Sequence, residues 1–104
     1  MPTVSVIYPR REGATFDFDY YERVHLPLVA KGWAEAGLIG AKALRGTAAG
    51  GGGEPAFLAI ALISFDSMDS FQAAMAGPAA AEIVGDIANF TNVQPIIQVN
   101  ERIG

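Results

Sequence analysis

The sequence predicts a single α+β domain over residues 1–104, with strands and helices in the order βαββαβ. Three observations carry that reading. Alternating segments open and close the chain, two helix-like stretches each follow a strand, and Ala56 to Phe65 is apolar on both of its faces.

Thr3 to Tyr8 alternates small polar with β-branched residues and stops at Pro9, the pattern of a strand. Arg10 to Thr15 forms a loop around Gly13. Asp17 suits a helix N-cap, and Asp19 and Glu22 place negative charge in the first turns. The helix is expected from about Phe18 towards Ala36, interrupted near Pro27 and closed by Gly37 in a left-handed cap. Ile39 to Arg45 is a second strand. Thr47 to Pro55 contains Gly50 to Gly53, four glycines that no packed element would use, so it is a hairpin loop. A phosphate cradle would need a helix next, and a strand follows instead.

In that strand Phe57, Ala59, Ala61, Ile63 and Phe65 share one face while Leu58, Ile60 and Leu62 occupy the other. A strand buried on both sides needs cover on both sides. Asp66 or Ser67 then caps a helix from Met68 to about Ala76, broken at Gly77-Pro78. An alanine-rich helix follows from Ala79 to Ile87, with Pro78 at its first position, where proline is tolerated. Pro95 to Ile103 alternates again as the last strand. The sum is the ferredoxin-like split βαβ pattern, a four-stranded antiparallel sheet with helices on one face. Nothing in this chain is left to cover the outer face of the third strand. A second copy packed sheet to sheet, a homodimer, would cover it.

Composition narrows the partners. Hydrophobic residues make up 51% and charged residues 17%, far from a disordered chain. A net charge of −4, with no basic patch, argues against nucleic acid or an anionic membrane. There is no cysteine, which excludes disulfides, thiol chemistry and thiolate metal sites and suits a cytoplasmic location. The first residues lack the charged and apolar regions of a signal peptide. The longest apolar run, Ala56 to Ile63, is too short to span a bilayer.

The candidate for chemistry is His25, the only histidine, two residues before Pro27. Asp17, Tyr21, His25 and Leu28 lie along one helical stripe. Pro27 has no N–H for the Arg23 carbonyl and its ring crowds it, so the imidazole stands at an irregularity where a pocket can form. A lone histidine on an apolar face is also often a packed residue satisfying a free carbonyl, and Trp33 on the same helix is as easily core as pocket wall. Glu22-x-x-His25 has the spacing of carboxylate metal sites, but those need further ligands from other helices, so no metal is expected. No G-x-S-x-G, P-loop or dinucleotide fingerprint exists. Asp66, Asp69 and Asp86 read as helix caps and solvated faces.

Tyr8-Pro9, Phe16-Asp17, Tyr20-Tyr21, His25-x-Pro27-Leu28 and Gly37-Leu38 together resemble the EthD family of the dimeric α+β-barrel superfamily. The motif covers Tyr8 to Leu38; the order of elements extends the likeness along nearly the whole chain. The resemblance implies a homodimer through the sheet face and a pocket between sheet and helices near His25. It also implies a small hydrophobic or aromatic ligand and, among related proteins, cofactor-free decarboxylation, dehydration, cyclisation or isomerisation. On that expectation His25 is the general acid or base, and Tyr21 orients it or binds the developing oxyanion. Tyr8, Phe16, Trp33 and Phe65 line the pocket. Two alternatives stand beside it: a non-catalytic dimer that binds a metabolite or supports an oxygenase degradation system, and a cofactor-free monooxygenase.

Overall fold

A computed structural model of the chain describes Met1–Gly104. Strand β1 covers Pro2–Pro9, β2 Leu38–Arg45, β3 Phe57–Phe65 and β4 Ile96–Glu101. They form one sheet in the order β2-β3-β1-β4, with every neighbouring pair antiparallel. This is the ferredoxin-like arrangement that the order of elements predicts.

The first helical rod is continuous rather than broken. It runs through α1 (Phe18–Tyr20), a π-helical turn (Tyr21–His25), α2 (Leu26–Trp33) and a 3-10 turn (Ala34–Ala36). Asp17 caps it by accepting from the Tyr20 N–H at 3.1 Å. Gly37, at φ 96°, ends it in the left-handed region. The expected interruption at Pro27 takes the form of a widened turn just before it: the Leu26 N–H bonds to the carbonyl of Tyr21, five residues back. Pro27 itself falls in the first turn of α2, where a missing N–H costs little.

After β3, Ser67 caps α3 (Met68–Ala76) by accepting from the Ser70 N–H, and α4 (Pro78–Asp86) begins at its proline. A 3-10 turn, Ile87–Asn89, continues α4. The helices lie on one face of the sheet. Val4, Ile63 and Phe65 pack there against Val29, Trp33, Ala74 and Ile83 as the main core, and Tyr8, Tyr21, Ala59 and Phe90 form a second cluster beside it. Phe57 departs from the expected face. A bulge opposite Tyr8 and Pro9 carries it to the sheet end, where it is exposed.

On the outer face the register sets Ile7 opposite Ile60 and Ile96, and Leu44 opposite Ile60. Leu58, Ile60 and Leu62 are half-buried there, and Leu44 and Ile96 are exposed. The other end of this face is polar: Thr3 and Ser64 share a hydrogen bond at 3.0 Å, and the Asn100 amide donates to Ser5 Oγ at 2.8 Å. Between β2 and β3, the glycine turn is closed by its own backbone, Gly52 N–H to Ala49 carbonyl and Ala49 N–H to Gly53 carbonyl, and Glu54 just after it pairs with Arg10. No helix is long and apolar enough to cross a membrane.

Candidate functional site

Two stretches of chain far apart in sequence are fastened together at the start of the first helix. The Asp17 N–H donates to the Phe90 carbonyl at 2.7 Å, the Thr91 hydroxyl to the Thr15 carbonyl at 2.6 Å, and the Thr15 N–H to Asn92 Oδ1 at 2.9 Å. That lacing brings the end of α4 beside the π turn. A π turn takes one more residue per hydrogen-bonded turn than an α-helix, which widens it, and such turns recur at functional sites. Here it buries both Tyr21 and His25, each 4% exposed, with rings nearly parallel at 5.5 Å. Phe90 closes against them, 4.6 Å from the imidazole and 5.0 Å from the phenol.

The partner of the imidazole is Asp86, the last residue of α4. His25 Nδ1 lies 3.0 Å from Asp86 Oδ2. Oδ1 of the same carboxylate accepts from the Tyr20 hydroxyl at 2.6 Å and from the Asn89 amide at 2.9 Å. The solvated-face reading of Asp86 is therefore corrected: its side chain is only 11% exposed. Burial by itself would raise this carboxyl, but the hydrogen bonds from Tyr20, Asn89 and His25 outweigh it and hold the group below the usual carboxylate range. An ionised carboxylate only accepts, so Nδ1 carries a proton, and in the neutral form of the ring Nε2 keeps its lone pair. The residue that orients His25 is thus Asp86, with Tyr20 steadying it; Tyr21 stacks on the ring instead.

His25 and Tyr21 border a cavity of about 80 Å³ between the helices and the sheet, which Tyr8, Trp33 and Phe65 also line. Five of the six residues singled out from sequence meet there. Phe16 does not. It packs edge-on behind Tyr8 and Tyr21, at 5.2 and 5.1 Å, and backs the wall without forming it. The walls are otherwise hydrocarbon, and Met75 on α3 gives one side an adaptable surface. Burial pushes the Tyr21 phenol up to about 12. Burial, with the nearby Tyr21 adding to it, raises Tyr8 further. Both phenols stay protonated and neutral near pH 7, able to donate a hydrogen bond. No group of three histidine or carboxylate side chains is placed to hold a metal.

This arrangement can move a proton. A buried imidazole oriented by a carboxylate, in an apolar hollow that also holds a neutral phenol, is suited to take a proton from an acidic C–H or O–H and return it elsewhere.

The sequence matches the EthD domain model over residues 12–94. Among solved structures, an EthD-like protein of Ralstonia eutropha JMP134 is 38% identical, with a TM-score of 0.90 over 99% of this chain and 92% of that one. An ethyl tert-butyl ether D family protein of Bacillus halodurans C-125 is 24% identical, at TM-score 0.80 over 99% of both chains. SnoaB, a cofactor-independent oxygenase from Streptomyces nogalater, shares the fold at 13% identity, with a TM-score of 0.64 over 98% of this chain and 93% of that one. No curated protein matches the sequence.

Proposed function

The chain belongs to the EthD family, and from that premise we propose that it is a cofactor-independent acid–base catalyst of small hydrophobic or aromatic enolisable substrates. Decarboxylation, dehydration with cyclisation, and isomerisation all pass through the proton transfer this site is built for. The observation that carries the reading is the 3.0 Å contact of His25 Nδ1 with Asp86 at the edge of an apolar cavity. Nε2 takes the substrate proton, Asp86 stabilises the imidazolium that forms, and the protonated Tyr21 phenol donates to the enolate oxygen.

The test follows solvent deuterium entering the α-carbons of 2-tetralone, an enolisable aromatic ketone, by NMR. Wild-type protein should accelerate exchange over buffer, and His25→Gln should lose roughly 10²–10⁴-fold of that rate while still binding the ketone. Equal rates in the two proteins would remove His25 from the chemistry. Binding without any acceleration would favour a non-catalytic metabolite-binding role.

The same reading pairs two copies through the outer sheet face, where Ile7, Leu58, Ile60 and Leu62 are half-buried and Leu44 and Ile96 exposed. Sedimentation at micromolar concentration should give twice the chain mass; a monomer would refute the pairing.

A further inference from the structure

Of the side chains around the cavity, Tyr8, Tyr21, His25, Trp33 and Lys42 carry a nitrogen or oxygen. Two of these are no use to a ligand inside it. Lys42 is exposed and sits opposite Leu62, in register with the outer face. Trp33 Nε1 has no partner and is closed to water. It is the one atom in the protein of which both are true, so any other buried side-chain nitrogen or oxygen is either bonded or open to water-sized space. The Tyr8 hydroxyl makes no hydrogen bond, although the residue is only 1% exposed. It therefore opens on the space its residue borders, the cavity. A buried hydroxyl left without a protein partner calls for a cause.

We propose that the Tyr8 hydroxyl is a second hydrogen-bond donor, beside Tyr21, to the oxygen on which the enolate charge collects. This rests on reading the cavity as the site of enolisation, and it adds a catalytic residue to that site. A carbonyl oxygen has two lone pairs, and hydrocarbon walls strip it of the water that satisfied both. Inside this cavity only the two phenols can replace that water. His25 Nε2 must be unprotonated to act as the base, so it cannot donate at the same time.

Tyr8 and Tyr21 reach the cavity from different layers, one from β1 and one from the π turn. Their rings meet edge-on at 6.2 Å, and Phe16 and Phe90 hold the Tyr8 ring at 5.2 and 5.8 Å. The hydroxyl is thus set in place before any ligand arrives, and needs no reorganisation as charge develops. A phenylalanine would fill the same cluster without a hydroxyl to desolvate. Two fixed donors gain most when the oxygen is negative, so they favour the enolate over the ketone. The substrate class is narrowed to molecules whose acidic C–H lies beside a carbonyl.

The test uses 2-naphthol, the aromatic counterpart of the 2-tetralone enol, and naphthalene, the same rings without the oxygen. Tyr8→Phe should weaken 2-naphthol by roughly fivefold to tenfold and leave naphthalene unchanged. It should also lower 2-tetralone exchange by roughly 10²–10³-fold. The chain has three tyrosines, so labelling their ζ-carbons with ¹³C gives three NMR signals. Tyr20→Phe and Tyr21→Phe identify the Tyr8 signal by elimination, even if Tyr8→Phe misfolds. 2-Naphthol should move that signal and naphthalene should leave it in place. A signal that answers both compounds alike, a preference for 2-naphthol that survives Tyr8→Phe, or failure of 2-naphthol to bind each overturns the proposal. Should Tyr8→Phe exchange 2-tetralone as wild type does while His25→Gln does not, only this inference falls. Exchange lost in Tyr8→Phe but untouched in His25→Gln would remove His25 as the base and leave Tyr8 in its role.

Discussion

Tyr20 donates its hydroxyl to Oδ1 of Asp86 at 2.6 Å, while Oδ2 of the same carboxylate takes the Nδ1 proton of His25. One side chain on α4 is therefore clamped from both ends of the π turn. The clamp decides which imidazole nitrogen is free.

Replacing Asp86 with Asn should invert that choice. If the amide turns its NH₂ towards Nδ1, the proton moves to Nε2 and the base is lost from the cavity side. The expected outcome is a fall in 2-tetralone exchange on the order of 10²–10⁴-fold, with ketone binding retained. Tyr20→Phe removes one of three donors and should lower the rate by much less. Equal effects from the two would mean that the carboxylate acts only as a structural brace.

Acid should undo the clamp. The Asp86 carboxyl lies below its ordinary value in the folded protein, because the three donors outweigh burial. A depressed carboxyl stabilises the fold above its unfolded value, and that contribution disappears as pH falls through the folded value. Urea unfolding should therefore show resistance falling below about pH 4. Asp86→Asn, which cannot titrate, should show a flatter acid limb. A variant with the same acid slope as wild type would assign the loss to other carboxylates.

Gly37 and Gly85 make an opposed pair for stability. Gly37 stands at φ 96°, and a Cβ there would come within 2.6 Å of Ser70 Oγ and 2.7 Å of Asp66 Oδ1. Gly85 lies inside α4, where an added Cβ meets nothing. Gly37→Ala should cost more than about 1 kcal/mol, and Gly85→Ala should gain about 0.5–1 kcal/mol. Thermal or urea unfolding checks both signs.

The strands, the Asp17 cap and the left-handed Gly37 were legible because each is written in neighbouring residues. The trouble at Pro27 was legible as well, but its form was not. A proline announces that a helix must adjust, and the choice between a break and a wider turn depends on what packs around it. Asp86 was missed because its partner lies 61 positions away. One signal was available: Ile83, Asp86 and Phe90 follow the helical spacing of α4 and its final turn, which sets a carboxylate on the stripe that faces inward. The lone indole donor has no sequence signature at all, since only packing reveals whether a tryptophan N–H finds a partner.

Pro2 pairs with Glu101, so the first residue of β1 and the last residue of β4 stand side by side. The turn at Gly50 to Gly53 is exposed, and a Cβ at any of those glycines would touch nothing. A short peptide could therefore join the two ends and fresh termini be cut at Gly51, reordering the polypeptide while keeping every strand neighbour. Such a circular permutant would start at β3 and end at β2, with the His25–Asp86 contact far from both new ends.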